Sequence, residues 1–387
     1  MSSFGSAPAA RPPLAAPGLD AVPAPLPAAP PTTDHPPPFE AWNGAEVPPA
    51  PGLDGATLLA EAVRWALLAP SGHNAQPWRF VLRAVAPDGG AAVLELRADR
   101  TRALPVVDPD DRALVIGCGA ALALLAVAMR RAGVEPEIAR LPDPDDPDLL
   151  ARVRCGPPHA VGAEERARFA AIARRRTVRH AFAPRPVEPE TAARLRDAAR
   201  ERGVWFLELA SVAAREALVA LVVEGDRRQA ADPAFRAELA RWIHPNRSHA
   251  RDGMPGSAHG AGDLASLAAP FVIRTFDWGN GQAARDRQLA EGSPMLAVLG
   301  TDADGAADWL RTGEALGDLL LAATDAGLRA AYLNQPVEVP ALRERLRALV
   351  REATGRDVRP QLVLRLGHGP DAPPTPRRPT DEVLERR

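Results

Sequence analysis

Two apolar segments of this chain align with each other without a gap, and this internal repeat constrains the fold more than any other feature of the sequence. At an offset of 194 residues, Gly119 matches Gly313, Leu122 matches Leu316, Leu125 matches Leu319 and Gly133 matches Gly327. Such a repeat indicates a duplicated unit built around one apolar helix. Any two Ala/Leu-rich helices that end in glycine would align about as well, so the repeat alone does not decide the architecture.

The composition fits a protein of two domains. The 387 residues are 46% hydrophobic, which is enough for two ordinary cores. The formal charge of −2 leaves no overall field that would favour nucleic acid or an anionic membrane. Every basic residue is arginine, so an anion site has to come from a local cluster of guanidinium groups, which bind phosphate in a planar bidentate fork.

Cysteine usage and the N-terminus predict a cytoplasmic protein. Cys118 and Cys155 have no spacing typical of a disulfide framework or a zinc site. Proline interrupts each short apolar run near the N-terminus, which also lacks a basic start, so we expect no signal peptide. We expect no membrane span either, for want of a charge-free stretch of about 18 apolar residues.

The sequence divides into a tail and two halves. Residues 1–52 hold 15 of the 42 prolines and are predicted to be a disordered tail. Residues 53–161 begin with a helix capped by Thr57, continue with a hairpin, PWRFVLRAV and AAVLELRAD, and reach a helix at about 111–131. We expect LPDPDDPD to be a loop, and we place the connection between the halves between it and about residue 162.

Residues 162–387 are predicted to alternate helices with the short strands VWFLELA, PMLAVLG, LRAAYL and QLVLRLG. Between the first two of these strands, residues 244–288 lack a regular apolar period and are rich in Gly and Pro. A long irregular segment inside a compact domain is typical of a lid, so we interpret it as one. We assign its possible metal ligands, His244, His249, Asp252 and His259, to this lid, because their spacing matches no known metal site and we expect no metal.

A polar turn, APSGHNAQPWRF, links the first helix to the first strand. Its prolines stiffen the backbone, and its polar side chains could hold a heterocycle or a polyol in a fixed orientation. The alternative is a turn whose side chains cap its own backbone. The candidate binding residues are Pro70, Ser71, His73, Asn74 and Gln76.

This turn resembles the APSxxNxQPW signature of the nitroreductase superfamily, in which it contacts the flavin across a dimer interface. The segment that contains Arg175, Arg176, Thr177 and Arg179 is similar to the RRSxRxF start of a nitroreductase subunit, which binds the ribityl phosphate. The alternative for these arginines is a solvated basic helix end.

Two further segments carry the same resemblance. The C-terminal PTPRRPTDEV, with Arg377 and Arg378, is similar to the basic end that closes over the flavin phosphate, and a disordered basic tail is the competing interpretation. The helix that ends at Leu328 is followed by YLNQP, where Asn334 and Gln335 are expected near flavin N5.

The distribution of these segments predicts one complete flavin pocket. The polar turn lies only in the first half, and the arginine start and basic end lie only in the second. The resemblance is to the Acg-like subgroup of two-domain nitroreductase homologues and covers about residues 55–385. The mirror pocket should be empty or filled by side chains. The lysines that many nitroreductases place near the flavin are absent, so arginines or backbone amides would have to stabilise the reduced anion.

The resemblance implies an α+β fold of two fused nitroreductase-like halves, each with a mainly antiparallel sheet flanked by helices, related by a pseudo-twofold axis and carrying a lid. It implies an FMN-dependent oxidoreductase that transfers hydride through flavin N5 to a small organic acceptor such as a nitroaromatic or quinone, or the reverse dehydrogenation, with NAD(P)H as a candidate reductant. The rival hypothesis is a protein that sequesters FMN under the lid without NAD(P)H reductase activity. No catalytic side chain is assigned, and fusion of the usual dimer in one chain predicts a monomer.

Overall fold

Two long helices, α2 (Arg112–Arg131) and α9 (Ala306–Asp325), form the centre of the molecule. The computed structural model describes residues 36–85 and 89–387, with the side chain of His259 excepted. Nearly every residue of α2 is buried, as expected of a helix that is apolar on all sides. Among the helices of the described residues, α2 is the one that is long and apolar enough to cross a membrane, contrary to the expectation from the sequence, but the surrounding protein encloses it.

Residues of the first half build a five-stranded sheet against α2. Its strand order is β11-β1-β2-β4-β3, and all neighbours are antiparallel except β11 and β1. The C-terminal end of the chain therefore completes the sheet of the first half. The strands are β1 (Trp78–Arg83), β2 (Val93–Ala98), β3 (Val134–Arg140), β4 (Leu149–Pro158) and β11 (Leu384–Arg386).

A second, four-stranded sheet packs against α9. It is antiparallel throughout, in the order β5-β8-β10-β9. A short parallel pair lies apart from both sheets. The second-half strands are β5 (Trp205–Glu208), β8 (Met295–Thr301), β9 (Arg329–Tyr332) and β10 (Arg359–Gly367), and the short pair is β6 (Ile243–His244) and β7 (Met254–Pro255).

The remaining helices surround the two sheets. They are α1 (Gly55–Ala66), α3 (Ala163–Arg174), α4 (Pro189–Arg200), α5 (Val212–Ala231), α6 (Pro233–Arg241), α7 (Asp263–Thr275), α8 (Gly279–Glu291), α10 (Gln335–Glu338), α11 (Pro340–Thr354) and α12 (Thr380–Val383). Single 3₁₀ turns lie at Glu40–Trp42, Gly72–Asn74, Arg100–Arg102 and Gly256–His259.

The two sheets share one topology. The order β1-β2-β4-β3 corresponds strand by strand to β5-β8-β10-β9, and α2 connects β2 to β3 as α9 connects β8 to β9. Helices α1 and α4 each precede the first of these strands and pack against α2 and α9 respectively. The antiparallel sheets flanked by helices agree with the fold class expected from the sequence.

The prediction assigned too many residues to the disordered tail. Residues 1–35 lie outside the described residues, but residues 36–52 are folded against the body of the protein. Trp42 is only 4% exposed, and its indole N–H donates to the carbonyl of Thr375 over 2.8 Å. One large aromatic ring offers enough apolar surface to fix a short proline-rich segment, and the proline count gave no sign of it.

Three local predictions were also wrong. The cap of α1 is Asp54, whose carboxylate accepts from the backbone N–H of Thr57. Strands β3 and β4 lie around LPDPDDPD, so part of the presumed inter-domain connection is a central strand of the first sheet. The segment 244–288, which was predicted to be irregular, contains α7 and most of α8. The helical pattern of α7 was hard to recognise because Pro270 lies inside the helix and because its apolar residues follow one another without a helical period.

Candidate functional site

The polar turn after α1 has an unusual backbone. His73, Asn74 and Gln76 have φ of 48°, 56° and 54°, in the left-handed region that side chains other than glycine rarely adopt. Backbone strain of this kind persists only where the surroundings hold it in place, and it is concentrated at functional sites.

Side-chain hydrogen bonds from distant segments hold the turn in this conformation. Asn74 Nδ2 donates to the carbonyls of Gly253 (2.9 Å) and Pro376 (3.0 Å), and its Oδ1 accepts from Arg377 (2.6 Å). Gln76 Nε2 donates to the carbonyl of Arg251 (2.8 Å). The turn thus joins the C-terminal segment and the loop before β7.

Pro70 and Ser71 serve the turn itself. The Ser71 hydroxyl accepts from the backbone N–H of Gln76 (2.9 Å), which is the capping role of the alternative interpretation. Pro70 and Ser71 both lie against α2, where a Cβ on Gly117 would come within 3.3 Å of Ser71 Cβ. Their expected contact with a ligand remains a prediction.

Buried arginines converge beside this turn from two segments far apart in sequence. Arg175 and Arg377 are 3% and 2% exposed, and Arg176 is half-buried. Their guanidinium groups donate to backbone carbonyls of Leu68 and Ala69, among others, but pair with no carboxylate among the described residues. Nε and NH1 of Arg175, Nε of Arg176 and Nε of Arg377 are buried without any partner there. We call Arg175, Arg176 and Arg377 the arginine cluster.

Burial without counter-charge perturbs the whole cluster. Desolvation lowers the pKa of Arg175 and Arg377, and it lowers the pKa of Arg176 to about 9, with repulsion from Arg175 adding to it. Tyr332, whose buried hydroxyl has no described partner, has its pKa raised to about 12 by burial even though the cluster opposes this. A buried positive charge that is not paired with a carboxylate destabilises the fold unless an anion binds to it.

His73 and Arg179 border the cluster. Burial and the charge of Arg179 lower the pKa of His73 to about 4, so its imidazole is neutral at physiological pH. Arg179 reaches Met254 Sδ in β7 at 3.2 Å, and Thr177 forms a β-bridge to Ala330 in β9. The expected arginine start is therefore anchored between β9 and β7.

Trp42 and Arg365 belong to the site and were missed from the sequence. The Arg176 guanidinium lies 3.9 Å from the centroid of the Trp42 ring, and that of Arg377 lies 5.5 Å away. Arg365 donates to the carbonyls of Val178 (2.8 Å) and His180 (3.0 Å) and so fixes the arginine start. A lone tryptophan between prolines was the only signal for Trp42, and an arginine within the apolar strand QLVLRLG was the signal for Arg365.

Arg378 does not join the cluster. Its backbone N–H donates to Gln76 Oε1 (2.9 Å), but its guanidinium faces outward between Asp99 (3.8 Å) and Glu382 (3.7 Å). It lines a surface cavity of about 510 Å³ together with Arg102 and Arg251. Burial lowers the pKa of Arg378 although Asp99 and Glu382 oppose this, and direct binding of phosphate by Arg378 remains a prediction.

Asn334 and Gln335 lie apart from the cluster and point to other partners. Asn334 Oδ1 accepts from the backbone N–H of Val363 (3.0 Å). Gln335 Nε2 donates to Asp226 (2.9 Å) and Asp286 (2.8 Å), two buried carboxylates that the sequence analysis did not single out. Burial, with repulsion from Asp286, raises the pKa of Asp226 to about 7. The sequence signal that could have identified Asp226 was its position at the end of the largely apolar helix segment LVALVVEGD.

His244, His249 and Asp252 belong to no cluster of metal-ligating side chains in the part of the chain that the structure describes, which leaves out the side chain of His259. Instead, His244 Nε2 lies 3.2 Å from Asp252, which also pairs with Arg102. These contacts tie the loop before β7 to the first half.

The donor set of the cluster matches one kind of ligand. Several guanidinium groups with unused N–H donors, two of them stacked on an aromatic ring, suit the charge and geometry of a phosphate monoester. The adjoining turn supplies amide groups at a fixed orientation. The site therefore fits a molecule that joins a phosphate to a polar chain or ring.

Comparison with known proteins agrees with this arrangement. The model of the Nitroreductase family matches residues 172–368. From Mycobacterium tuberculosis, "Putative NAD(P)H nitroreductase Rv3131" is 34% identical over 85% of this chain and 90% of its own length. "Putative NAD(P)H nitroreductase acg" is 32% identical over 85% of this chain and 96% of its own length. The chain belongs to the nitroreductase family.

A solved structure was also found. It is the FMN-dependent nitroreductase NfnB from Mycobacterium smegmatis in complex with NADPH. Its sequence is 19% identical to this one, the match covers 53% of this chain and 88% of the NfnB chain, and the TM-score is 0.33.

Proposed function

We propose that this protein is an FMN-dependent oxidoreductase that takes electrons from NAD(P)H and reduces a small organic acceptor such as a nitroaromatic or quinone. The observation that carries the proposal is the buried arginine cluster, which has unused donors and no acid, next to the strained polar turn. The names of the two mycobacterial relatives support the nicotinamide reductant.

The chain's own residues would hold the cofactor in a definite way. Arg175, Arg176 and Arg377 would bind the phosphate, with Thr177 and Arg179 at its margin. Asn74 and Gln76 would face the ribityl chain or the ring. FMN would supply the two-electron chemistry when bound, and the protein would supply position and charge.

We also propose that Asn334 and Gln335 border the ring, as the resemblance implies. Gln335 is held by two acids, so its buried Oε1, which has no partner among the described residues, has a fixed direction. Asn334 cannot turn without breaking its hydrogen bond to the backbone N–H of Val363 in β10.

The proposal makes the phosphate the main source of affinity, and matched variants test it. Arg175→Met removes a buried guanidinium, whereas Arg174→Met removes an exposed one on the preceding residue. We expect R175M to weaken FMN binding at least about tenfold while riboflavin binding changes little, and R174M to alter neither. Equal affinity of the wild type for FMN and riboflavin would contradict the assignment.

An anaerobic absorbance spectrum of the FMN-reconstituted protein tests turnover. Bleaching of the flavin band on addition of NADPH or NADH is expected of the reductase, and a screen of nitroaromatics and quinones would then follow. Failure to bind any flavin would overturn the proposal as a whole.

A second candidate function is supported by the loop before β7. The carbonyls of Arg251 and Gly253 accept from Gln76 and Asn74, so this loop lies over the turn that would hold the flavin. We propose, as the alternative, a protein that sequesters FMN under this segment and has no NAD(P)H reductase activity. A bound flavin that stays oxidised with both nicotinamides would favour it.

Four organisational proposals accompany the function. The shared topology of the two sheets supports an internal duplication, with halves that divide at about residue 162. We also propose that 244–288 acts as a lid and that the protein is cytoplasmic. We further propose a monomer, because the dimer usual for the family would be fused in one chain, and light scattering of the purified protein checks the monomeric state.

A further inference from the structure

The outer edge of β5 corresponds to an edge of the first sheet, that of β1, which another strand covers. There, β11 pairs in parallel with β1, with Phe80 opposite Leu384 and Leu82 opposite Arg386. Strand β5 occupies the same place in its own sheet as β1, yet only β8 pairs with it in the part of the chain that the structure describes. An exposed edge offers unpaired backbone N–H and C=O groups to another strand.

A cleft of about 400 Å³ follows this edge. Five consecutive residues, Val204 to Glu208, line it. Because successive side chains of a strand point to opposite faces, a cleft lined by all five must run along the backbone edge between the two layers of helices. Its walls come from α4, through Arg196 and Arg200, and from the end of α11, through Thr354 and Arg356.

The charge of the cleft is mostly positive. Arg196 and Arg356 form no ion pair with any described residue, and Arg200 pairs with the exposed Asp197 at 2.9 Å. The Arg356 guanidinium lies 3.7 Å over the ring of Trp205, which holds it at the rim. Glu208 is the one acid in the lining.

We propose that the edge of β5 binds an extended, acidic peptide segment of a partner protein, which adds as a further strand. Main-chain hydrogen bonds would give affinity, and carboxylates on alternate residues would meet Arg196 and Arg200 of α4, while Arg356 on the opposite wall would add to the positive field. A second copy of this chain is a poor fit, because its β11 already pairs with β1 and ends in Arg386 and Arg387. The β1·β11 pair shows that this chain uses such an edge, and it favours a parallel peptide.

A labelled peptide of alternating valine and glutamate, six residues long, is the probe, and fluorescence anisotropy is the measurement. We expect saturable binding that Arg196→Glu with Arg356→Glu weakens at least about tenfold. The double variant Arg166→Glu with Arg174→Glu has the same net charge change at exposed positions on α3 and should bind as the wild type does. Both pairs are exposed, and thermal unfolding confirms that each variant folds.

Hydrogen exchange distinguishes strand addition from mere charge attraction. The amides of Phe206 and Glu208, which point away from β8, should become protected when the peptide binds. The corresponding valine–lysine peptide should not bind, and a proline in the centre of the acidic peptide should abolish the protection, because proline donates no N–H. Equal binding to both double variants, protection elsewhere, or binding of the proline peptide with undiminished affinity would overturn the proposal. None of these outcomes depends on FMN.

Discussion

Gly119 and Gly313 lie against each other where α2 and α9 cross, and the backbone of the opposite helix leaves no room for a side chain at either position. A Cβ on Gly119 would lie 2.2 Å from the carbonyl oxygen of Leu310, and a Cβ on Gly313 would lie 2.0 Å from that of Ile116. Ile116 and Leu310 are themselves a matched pair of the sequence repeat. A reciprocal contact of this kind is what a twofold relation between two helices produces.

The crossing of the two helices should tolerate no added methyl group. For Gly119→Ala we expect a loss of about 3 kcal/mol in the free energy of unfolding, because the obstacle is backbone that cannot move aside. Urea denaturation measures it. Gly281→Ala in α8, where nothing lies within 4 Å, is the control and should be neutral or slightly stabilising. A loss below about 0.5 kcal/mol for G119A would refute the close approach.

Trp42 should be needed for both stability and cofactor binding. Trp42→Ala leaves a cavity and removes the ring under Arg176, so we expect a loss of about 3–5 kcal/mol in unfolding free energy and weaker FMN binding. Trp42→Phe keeps an aromatic ring but loses the hydrogen bond from the indole N–H to the carbonyl of Thr375, so it should lower the free energy of unfolding by about 1 kcal/mol. Chemical denaturation and flavin titration of both variants check this. Wild-type behaviour of W42A would mean that residues 36–52 contribute nothing to the folded state.

Asn74 should link the polar turn to the loop before β7. Asn74→Ala leaves Arg377 NH1 and the carbonyls of Gly253 and Pro376 with fewer partners, at about 1–3 kcal/mol for a buried group left unsatisfied. We expect faster proteolysis within 244–262 and a lower melting temperature. Asn246→Ala, which removes the hydrogen bonds of the Asn246 side chain to Ala261, Asp263 and Ser257 but none to the polar turn, is the comparison. If only N246A speeds cleavage, the turn does not hold the loop.

Asp226 should make stability fall as pH rises. Its pKa is about 7 in the fold against 3.8 as the ordinary value, so the folded state binds more protons between these limits and stability is lost as pH climbs through them. Relative to Asp226→Asn, the wild type should lose about 2 kcal/mol from pH 5 to pH 7, a few tenths of a kcal/mol more up to about pH 8, and almost nothing above that. His73, whose pKa is lowered to about 4, has the opposite slope, but it cancels because both proteins contain it.

Urea denaturation at several pH values gives this difference. Asp286 and Glu338 also raise the pKa of Asp226, so Asp286→Asn should shrink the effect rather than remove it. A pH-independent difference between the wild type and D226N would show that the carboxyl is ionised throughout.

Local sequence determined a large part of this protein. The apolar period specified α2 and α9, since a helix that is apolar all round has to be enclosed, and the glycine spacing marked the place where they meet. The motifs around Asn74, Arg175 and Arg377 named residues that the fold brings into direct or near contact. Each of these signals lies within a few residues along the chain.

Only the tertiary structure decided which distant groups complete the site and which do not. Trp42 beneath Arg176, Arg365 beneath the arginine start, and the acids that hold Gln335 are contacts between segments more than a hundred residues apart or on separate elements. The outward turn of Arg378 depended on the position of Asp99 and Glu382. A sequence pattern records propensity and spacing, whereas burial and charge compensation arise only when the chain has folded, and these decided which arginines are left to bind an anion.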